Sequence, residues 1–266
     1  MKDVMNPLRE ILSESKRPLV GAILSFPSPR LVEFLGLSGF DWLFLDGEHD
    51  GISPEACYTL SAVARSVGMT TVARVPAGRH DYFIQYADSG VDGIAAPHVR
   101  NGIEARELTE AMWFPPHGTR GMATSSRAAR YGMLGSATDY VDNAELRPVP
   151  IAMLEDVEAF TNLDQILDTP GLEVGFLGAG DLSASVGVPA RVNDPRVREL
   201  VDQGIAGLHQ RGKKAILAFS DANSAVDAID RGADMIAIYV GKLFAAASRD
   251  LLDSIDSHRE KGGIGS

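Results

Sequence analysis

Phe40-Asp41-Trp42-Leu43-Phe44-Leu45-Asp46-Gly47-Glu48-His49 is the stretch that decides the architecture. Trp42 to Leu45 form an unbroken apolar run with no polar alternation, which reads as a strand buried on both faces, as in a parallel sheet covered by helices. That run ends abruptly in Asp46, Glu48, His49 and Asp50. Reactive groups gathered at the C-terminal end of a buried strand are the signature of a barrel whose catalytic mouth lies there.

Working outward, seven more runs rich in Val, Ile, Leu, Phe and Ala join the one at 40–48. They lie at 19–26, 70–76, 93–99, 150–156, 173–178, 213–220 and 235–241. Helix-type segments alternate with them at 29–37, 53–67, 79–89, 102–112, 162–168, 194–211, 224–231 and 243–259. Ser53-Pro54 is a cap followed by proline at the first helical position. Gly68, Gly90, Gly212 and Gly232 stand where helices close. Eight such alternations predict a (β/α)8 TIM barrel over residues 1–266, as one domain. The rival open doubly wound sheet is expected to carry a glycine-rich phosphate loop, and neither G-x-G-x-x-G nor G-x-x-x-x-G-K-[ST] occurs. The longest irregular stretch, 114–137, is rich in Pro, Gly, Arg and Ser, and such lengths are usually functional. The tail 261–266 is expected to fray.

The composition bounds the function. The 266 residues are 45% hydrophobic and 23% charged, with formal net charge −11. That balance describes a soluble globular chain and argues against a nucleic-acid partner, which needs a basic surface. An anionic substrate then needs local cationic help. Cys57 is the single cysteine, so no disulfide or cysteine zinc cluster forms within the chain, and it reads as a small core residue. Residues 1–18 lack a signal-peptide core, and no apolar run reaches membrane-span length. A cytoplasmic enzyme is the expectation.

The strand ends carry the candidate chemistry. His49, beside Asp46 and Glu48, can work as an acid/base near neutral pH; the bland alternative is a solvated loop. Arg74 interrupts a buried run and needs a partner, either a substrate oxyanion or a neighbouring strand-end acid. Glu155 and Asp181 close successive strands. Two carboxylates there suit a hard divalent cation, which takes its remaining ligands from water and substrate. Gly178-Ala179-Gly180 lets a ligand approach the backbone, and a helical turn starting at Asp181 would offer N–H groups to an anion. The alternative is that Asp181 merely caps a helix.

These residues together resemble the HpcH/HpaI aldolase family, metal-dependent 2-oxo-acid aldolases of the phosphoenolpyruvate/pyruvate-domain superfamily. The resemblance spans nearly the whole chain. It rests on 40–49, Arg74-Val75-Pro76, Asp92-Gly93-Ile94, Pro97-His98-Val99, Pro115-Pro116-His117-Gly118-Thr119-Arg120-Gly121, Glu155, and Leu177-Gly178-Ala179-Gly180-Asp181-Leu182-Ser183. It implies that Glu155 and Asp181 hold Mg²⁺ or Mn²⁺, with Co²⁺ also compatible. It implies that His49 is the acid/base, that Asp46 orients or pairs with it, and that Arg74 stabilises an enolate. The backbone of Ala179 and Gly180 would hold a pyruvate carboxylate. Met153 stands where the family often has a donor-contacting Gln, and Val240-Gly241-Lys242 where it commonly has Gly-Val-Asp. These departures touch the donor pocket rather than the metal site. The resemblance further implies a homo-oligomer, a hexamer arranged as a trimer of dimers or dimer of trimers, with an exchanged C-terminal helix. Arg120 or Arg127 would then face an anionic substrate end across a subunit boundary. The expected reaction is aldol cleavage or formation of a 4-hydroxy-2-oxo acid from pyruvate, or a related 2-oxo acid, and an aldehyde. The alternatives are a related lyase, decarboxylase or acyl-CoA lyase with a changed donor, and a non-catalytic 2-oxo-acid binding protein. The latter has no need of the base.

Overall fold

The computed structural model describes residues 6–133, 135–143 and 146–261. Of the tail 261–266, expected to fray, Lys261 closes the last helix and 262–266 lie outside the described residues. Eight parallel strands form a closed barrel in sequence order. They are β1 (Leu19–Leu24), β2 (Trp42–Asp46), β3 (Thr70–Arg74), β4 (Gly93–Ala96), β5 (Val149–Leu154), β6 (Val174–Leu177), β7 (Lys214–Phe219) and β8 (Met235–Tyr239). β1 pairs with β2 on one side and β8 on the other. All eight expected runs are strands, but each strand stops one to three residues before its run does. Those extra residues begin the loops of the barrel mouth.

The pleat sorts the strand residues into two cores. Ile23, Phe44, Val72, Ile151, Met153, Phe176 and Ile216 fill the barrel. Leu24, Leu45, Ala73, Leu154, Leu177 and Leu217 meet the surrounding helices. Gly21 sits on the inner face, where a Cβ would collide with the indole of Trp42. The absent side chain is what admits that ring to the barrel interior.

Helix α1 (Pro7–Glu14) precedes the barrel. The Asn6 side chain caps it, accepting from the N–H groups of Leu8 and Arg9. The same side chain donates to the carbonyls of Asp92 and Arg147, tying the helix to the N-terminal ends of β4 and β5. Leu8, with Ile11 and Leu12 beside it, packs into the inner core. The sequence reading assigned no helix here.

The barrel helices follow as α2 (Pro29–Leu37), α3 (Pro54–Ser66), α4 (Phe83–Asp88), α5 (Gly102–Met112), α6 (Ala137–Asp142), α7 (Val157–Thr161), α8 (Leu163–Leu167), α9 (Ala179–Ser185), α10 (Pro195–Gln210), α11 (Ala222–Asp230) and α12 (Val240–Lys261). Of these, α6 and α7 were not expected, and α9 begins at Ala179 instead of Asp181. Cys57 is buried, and burial pushes its thiol up to about 12, so it is a core residue. Among the described residues no helix is long and apolar enough to cross a membrane.

The segment 114–137 connects α5 towards β5, so it returns to the N-terminal end of the barrel. Arg127 and Arg130 there line a hollow with Asn6, Asp92 and Pro148. Arg120 is 2% exposed. It donates to Asp88 Oδ1 at 2.7 Å and to the Tyr140 hydroxyl at 3.2 Å, and lies over the Phe114 ring. The expectation that Arg120 faces a substrate is therefore corrected: its charge is spent inside its own chain.

Candidate active site

Register builds the first half of the site. Asp46 and Arg74 are partners across β2 and β3, both on the inner face at the mouth. Arg74 Nε donates to Asp46 Oδ1 at 3.0 Å, and Arg74 Nη2 pairs with Asp46 Oδ2. Arg74 Nη1 lies 3.2 Å from Glu48 Oε2. Asp46 Oδ1 also accepts from the backbone N–H groups of Glu48 and His49, at 2.9 and 3.1 Å. Burial opposes ionisation of Asp46, but the bonds and charge of Arg74 and those two N–H groups outweigh it, so its carboxyl lies below the usual range. Gly47 leaves no Cβ against the Tyr86 hydroxyl, which donates to the carbonyl of Ile52 at 2.7 Å and braces the turn. Arg74 is thus charged and fixed in direction, as a residue must be to stabilise a developing oxyanion.

The expected pairing of Asp46 with the His49 imidazole is corrected. Asp46 reaches His49 only at its backbone N–H, because Arg74 takes the carboxylate. The His49 side chain is 63% exposed, and its Nε2 lies 3.9 Å from Glu48 Oε2.

The second half lies at the ends of β5 and β6. Met153 and Phe176 are register partners on the inner face. Glu155 continues that face one pleat above Met153. Glu155 is 1% exposed. Its Oε1 accepts from the backbone N–H of His98 at 2.9 Å. His98 holds a left-handed backbone, φ +53°, and its Nδ1 is 2.9 Å from Asp156 Oδ2. That strained conformation aims the N–H at Glu155. His98 appears in the motif Pro97-His98-Val99, but nothing in that motif announces this role. Gly178, next to Glu155 across the strand ends, would place a Cβ 2.6 Å from Glu155 Oε2. The glycine makes room for the carboxylate.

Glu155 Oε2 is buried with no hydrogen-bond partner. Burial pushes the Glu155 carboxyl up, and the charge of Asp181 adds to the shift against the opposing pull of His98 and Arg74. An ionised oxygen left without a donor is costly, and a cation relieves both the missing contact and the repulsion from Asp181. The donor set therefore fits a divalent metal. Among the described residues no cluster of three or more His, Cys, Asp or Glu converges on one metal position. Two carboxylates with water and substrate oxygens completing the shell match magnesium chemistry.

Asp181 lies in the first turn of α9, whose N-cap is Gly178, so Asp181 is not the cap. The first N–H groups of any helix lack intrahelical acceptors, and the space beside Gly180 is open. A cavity of about 230 Å³ brings together Arg74, Met153, Glu155, Ala179, Gly180 and Asp181. Asp46 stands behind Arg74, and His49 is not among the lining residues. Six of the eight expected site residues thus share one cavity.

The HpcH/HpaI aldolase/citrate lyase family matches residues 22–246. The chain is 31% identical over 239 residues to a 4-hydroxy-2-oxo-heptane-1,7-dioate aldolase of Shigella sonnei, covering 89% of each chain. It is 30% identical over 247 residues to a 2-keto-3-deoxy-L-rhamnonate aldolase of Shigella boydii, covering 92% of this chain and 91% of the other. Among solved structures, a family protein from Burkholderia cenocepacia superposes with TM-score 0.87 at 26% identity, covering 94% of this chain and 99% of that one. The citrate synthase SbnG superposes with TM-score 0.80 at 26% identity, covering 96% and 98%. The chain is a carbon–carbon lyase and belongs to the HpcH/HpaI aldolase/citrate lyase family.

Proposed function

We propose that this enzyme cleaves, and in reverse forms, a 4-hydroxy-2-oxo acid, with pyruvate or a close 2-oxo acid as donor and an aldehyde as partner. In cleavage the C4 hydroxyl loses its proton and the C3–C4 bond breaks. The electron pair passes through C2 to the 2-oxo oxygen, the aldehyde leaves, and C3 takes up a proton. The observation that carries this reading is the unpartnered Glu155 Oε2, in one cavity with Asp181 and the fixed cation Arg74. Glu155 and Asp181 are the residues to hold the metal. A divalent ion bound there supplies Lewis acidity to the 2-oxo oxygen. Arg74 adds a preorganised positive charge for the enolate, with Asp46 and Glu48 keeping it in place. The N–H groups of Ala179 and Gly180 receive the donor carboxylate. Met153 and Phe176 give the donor's methyl end an apolar wall. His49 is assigned the proton of the C4 hydroxyl, through a water in view of its exposure. The two relatives named as aldolases support the reaction class.

The assembly belongs to the same reading. Phe244, Leu251, Leu252 and Ile255 on α12 are exposed, so the apolar stripe expected at helical spacing is not packed on its own barrel. This supports a homo-oligomer in which α12 packs on a neighbour. A second reading, condensation on the same enolate with a changed donor, is favoured by Met153 and by the similarity to citrate synthase SbnG.

The test is 2-oxo acid release from a panel of 4-hydroxy-2-oxo acids, with and without EDTA. Release that EDTA abolishes and Mg²⁺ or Mn²⁺ restores is expected. Full turnover in metal-free buffer would exclude this mechanism.

A further inference from the structure

Three cationic side chains line the cavity at the mouth: Arg74, Arg231 and Lys242. Two are already compensated. Arg74 is paired with Asp46 and Glu48. Arg231 Nε lies 2.7 Å from Asp202, and Arg231 also donates to the carbonyl of Arg198. Lys242 has no carboxylate within ion-pairing distance among the described residues; its contact is the ring of Tyr239, with Nζ 5.4 Å from the centroid. Tyr239 takes the last inward position of β8, so the ammonium is folded back over the barrel mouth.

The backbone adds to that charge. Lys242 is the third residue of α12, which starts directly where β8 ends and runs for 22 residues. The N–H groups of its first turn have no intrahelical acceptors, and the dipole there favours an anion. No acidic residue occupies that turn. Beside Gly241 the space is open, with nothing within 4 Å of a Cβ position. Ser220, just past the end of β7, lines the same cavity. The loops after strands seven and eight, with a helix N-terminus, are where barrels of this kind often hold an anionic group.

We propose that Lys242 and the N–H groups opening α12 bind a terminal oxyanion of the substrate, a carboxylate or phosphate at the end remote from the 2-oxo group. The assignment rests on the aldolase reading and makes Lys242 a specificity-determining residue. A compact, solvent-reachable ammonium suits this role, since it meets an oxyanion as a point charge.

The experiment measures kcat/KM for pyruvate addition to four aldehydes in two pairs. Succinic semialdehyde is compared with butanal, and glyceraldehyde 3-phosphate with glyceraldehyde. In the wild type one anionic aldehyde is favoured over its neutral counterpart by about tenfold or more, the size of one charge-assisted hydrogen bond. The pair that shows the preference identifies carboxylate or phosphate as the recognised group. Lys242→Met collapses that ratio through KM, and Lys242→Arg restores part of it, which a merely structural role would not do. A wild-type ratio near one in both pairs, or a ratio unchanged in Lys242→Met, overturns the assignment while leaving the aldolase reading intact. A wild type that adds pyruvate to none of the four aldehydes overturns both.

Discussion

Gly178→Ala tests the carboxylate cradle with a single methyl group. Gly178 has φ −80° and ψ 72°, which is no left-handed conformation, so backbone strain is not the issue. The added Cβ would stand 2.6 Å from Glu155 Oε2 and 2.8 Å from Glu155 Cβ, where ordinary contact begins at 3.4 Å. The carboxylate must withdraw by about 0.8 Å, the difference between 3.4 and 2.6 Å. It cannot do so by simple rotation, because Oε1 is held by the His98 N–H at 2.9 Å. Overpacking of this kind costs about 1–3 kcal/mol of stability. On the proposed site the larger effect falls on metal binding, since Glu155, one of the two carboxylates proposed to hold the ion, leaves position. Displacing groups that orient a ligand lowers metal affinity by about 10–100-fold. Titration calorimetry with Mn²⁺, paired with urea unfolding, measures both effects. Gly180→Ala is the control, because nothing lies within 4 Å of its Cβ position. A Gly178→Ala protein with wild-type Mn²⁺ affinity would refute the placement of Glu155 Oε2 at the metal.

Three further outcomes follow from the same structure. His49→Ala is expected to lower turnover by about a hundredfold or more, with metal affinity unchanged, as loss of a general base does; calorimetry showing metal binding lost would make His49 a ligand instead. Removal of α12 beyond Leu243 is expected to reduce the oligomer and the activity together, and light scattering that finds a fully active monomer at dilute concentration contradicts helix exchange. Burial opposes ionisation of Asp234, but the Ala215 N–H, Lys214 and His209 outweigh it and hold its carboxyl below the usual range. Its folded pKa is therefore lower than its unfolded one, so its contribution is present above the unfolded pKa of about 3.9 and is lost as pH falls through the folded value. The stability difference between wild type and Asp234→Asn should narrow on acidification below about pH 4, and a gap that widens there reverses the sign of the argument.

The strands, and which charged residues stand at their mouth ends, were legible in the sequence for one reason. In a closed parallel barrel the strands are buried on both faces, so each run has an apolar centre, and a charged residue that follows that centre lies at the mouth. Asp46, Arg74 and Glu155 were found that way. What the pattern could not give is which acid claims which base. Asp46 is three residues from His49 in sequence, but across the sheet it is directly opposite Arg74, and the register decides. His98 escaped because its contribution is a backbone N–H in a left-handed conformation, which leaves no trace in residue type. Helix α1 was missed although Asn6-Pro7 and the spacing of Leu8, Ile11 and Leu12 signal it; charges throughout the segment masked an amphipathic face. For α6, Ser136 and Asp139 form a capping box that was available to read. Residue type alone could not show that Arg120 is buried against Asp88 and Tyr140 in its own chain.

The most direct test of enolate chemistry at Glu155, Asp181 and Arg74 is proton exchange at C3 of pyruvate in D₂O, followed by NMR with no aldehyde present. With enzyme and Mg²⁺ the methyl signal is expected to decay, and the decay to stop on adding EDTA or on replacing Glu155 by Gln. No exchange with the Mg²⁺- or Mn²⁺-loaded wild type, or exchange indifferent to EDTA, would contradict the account.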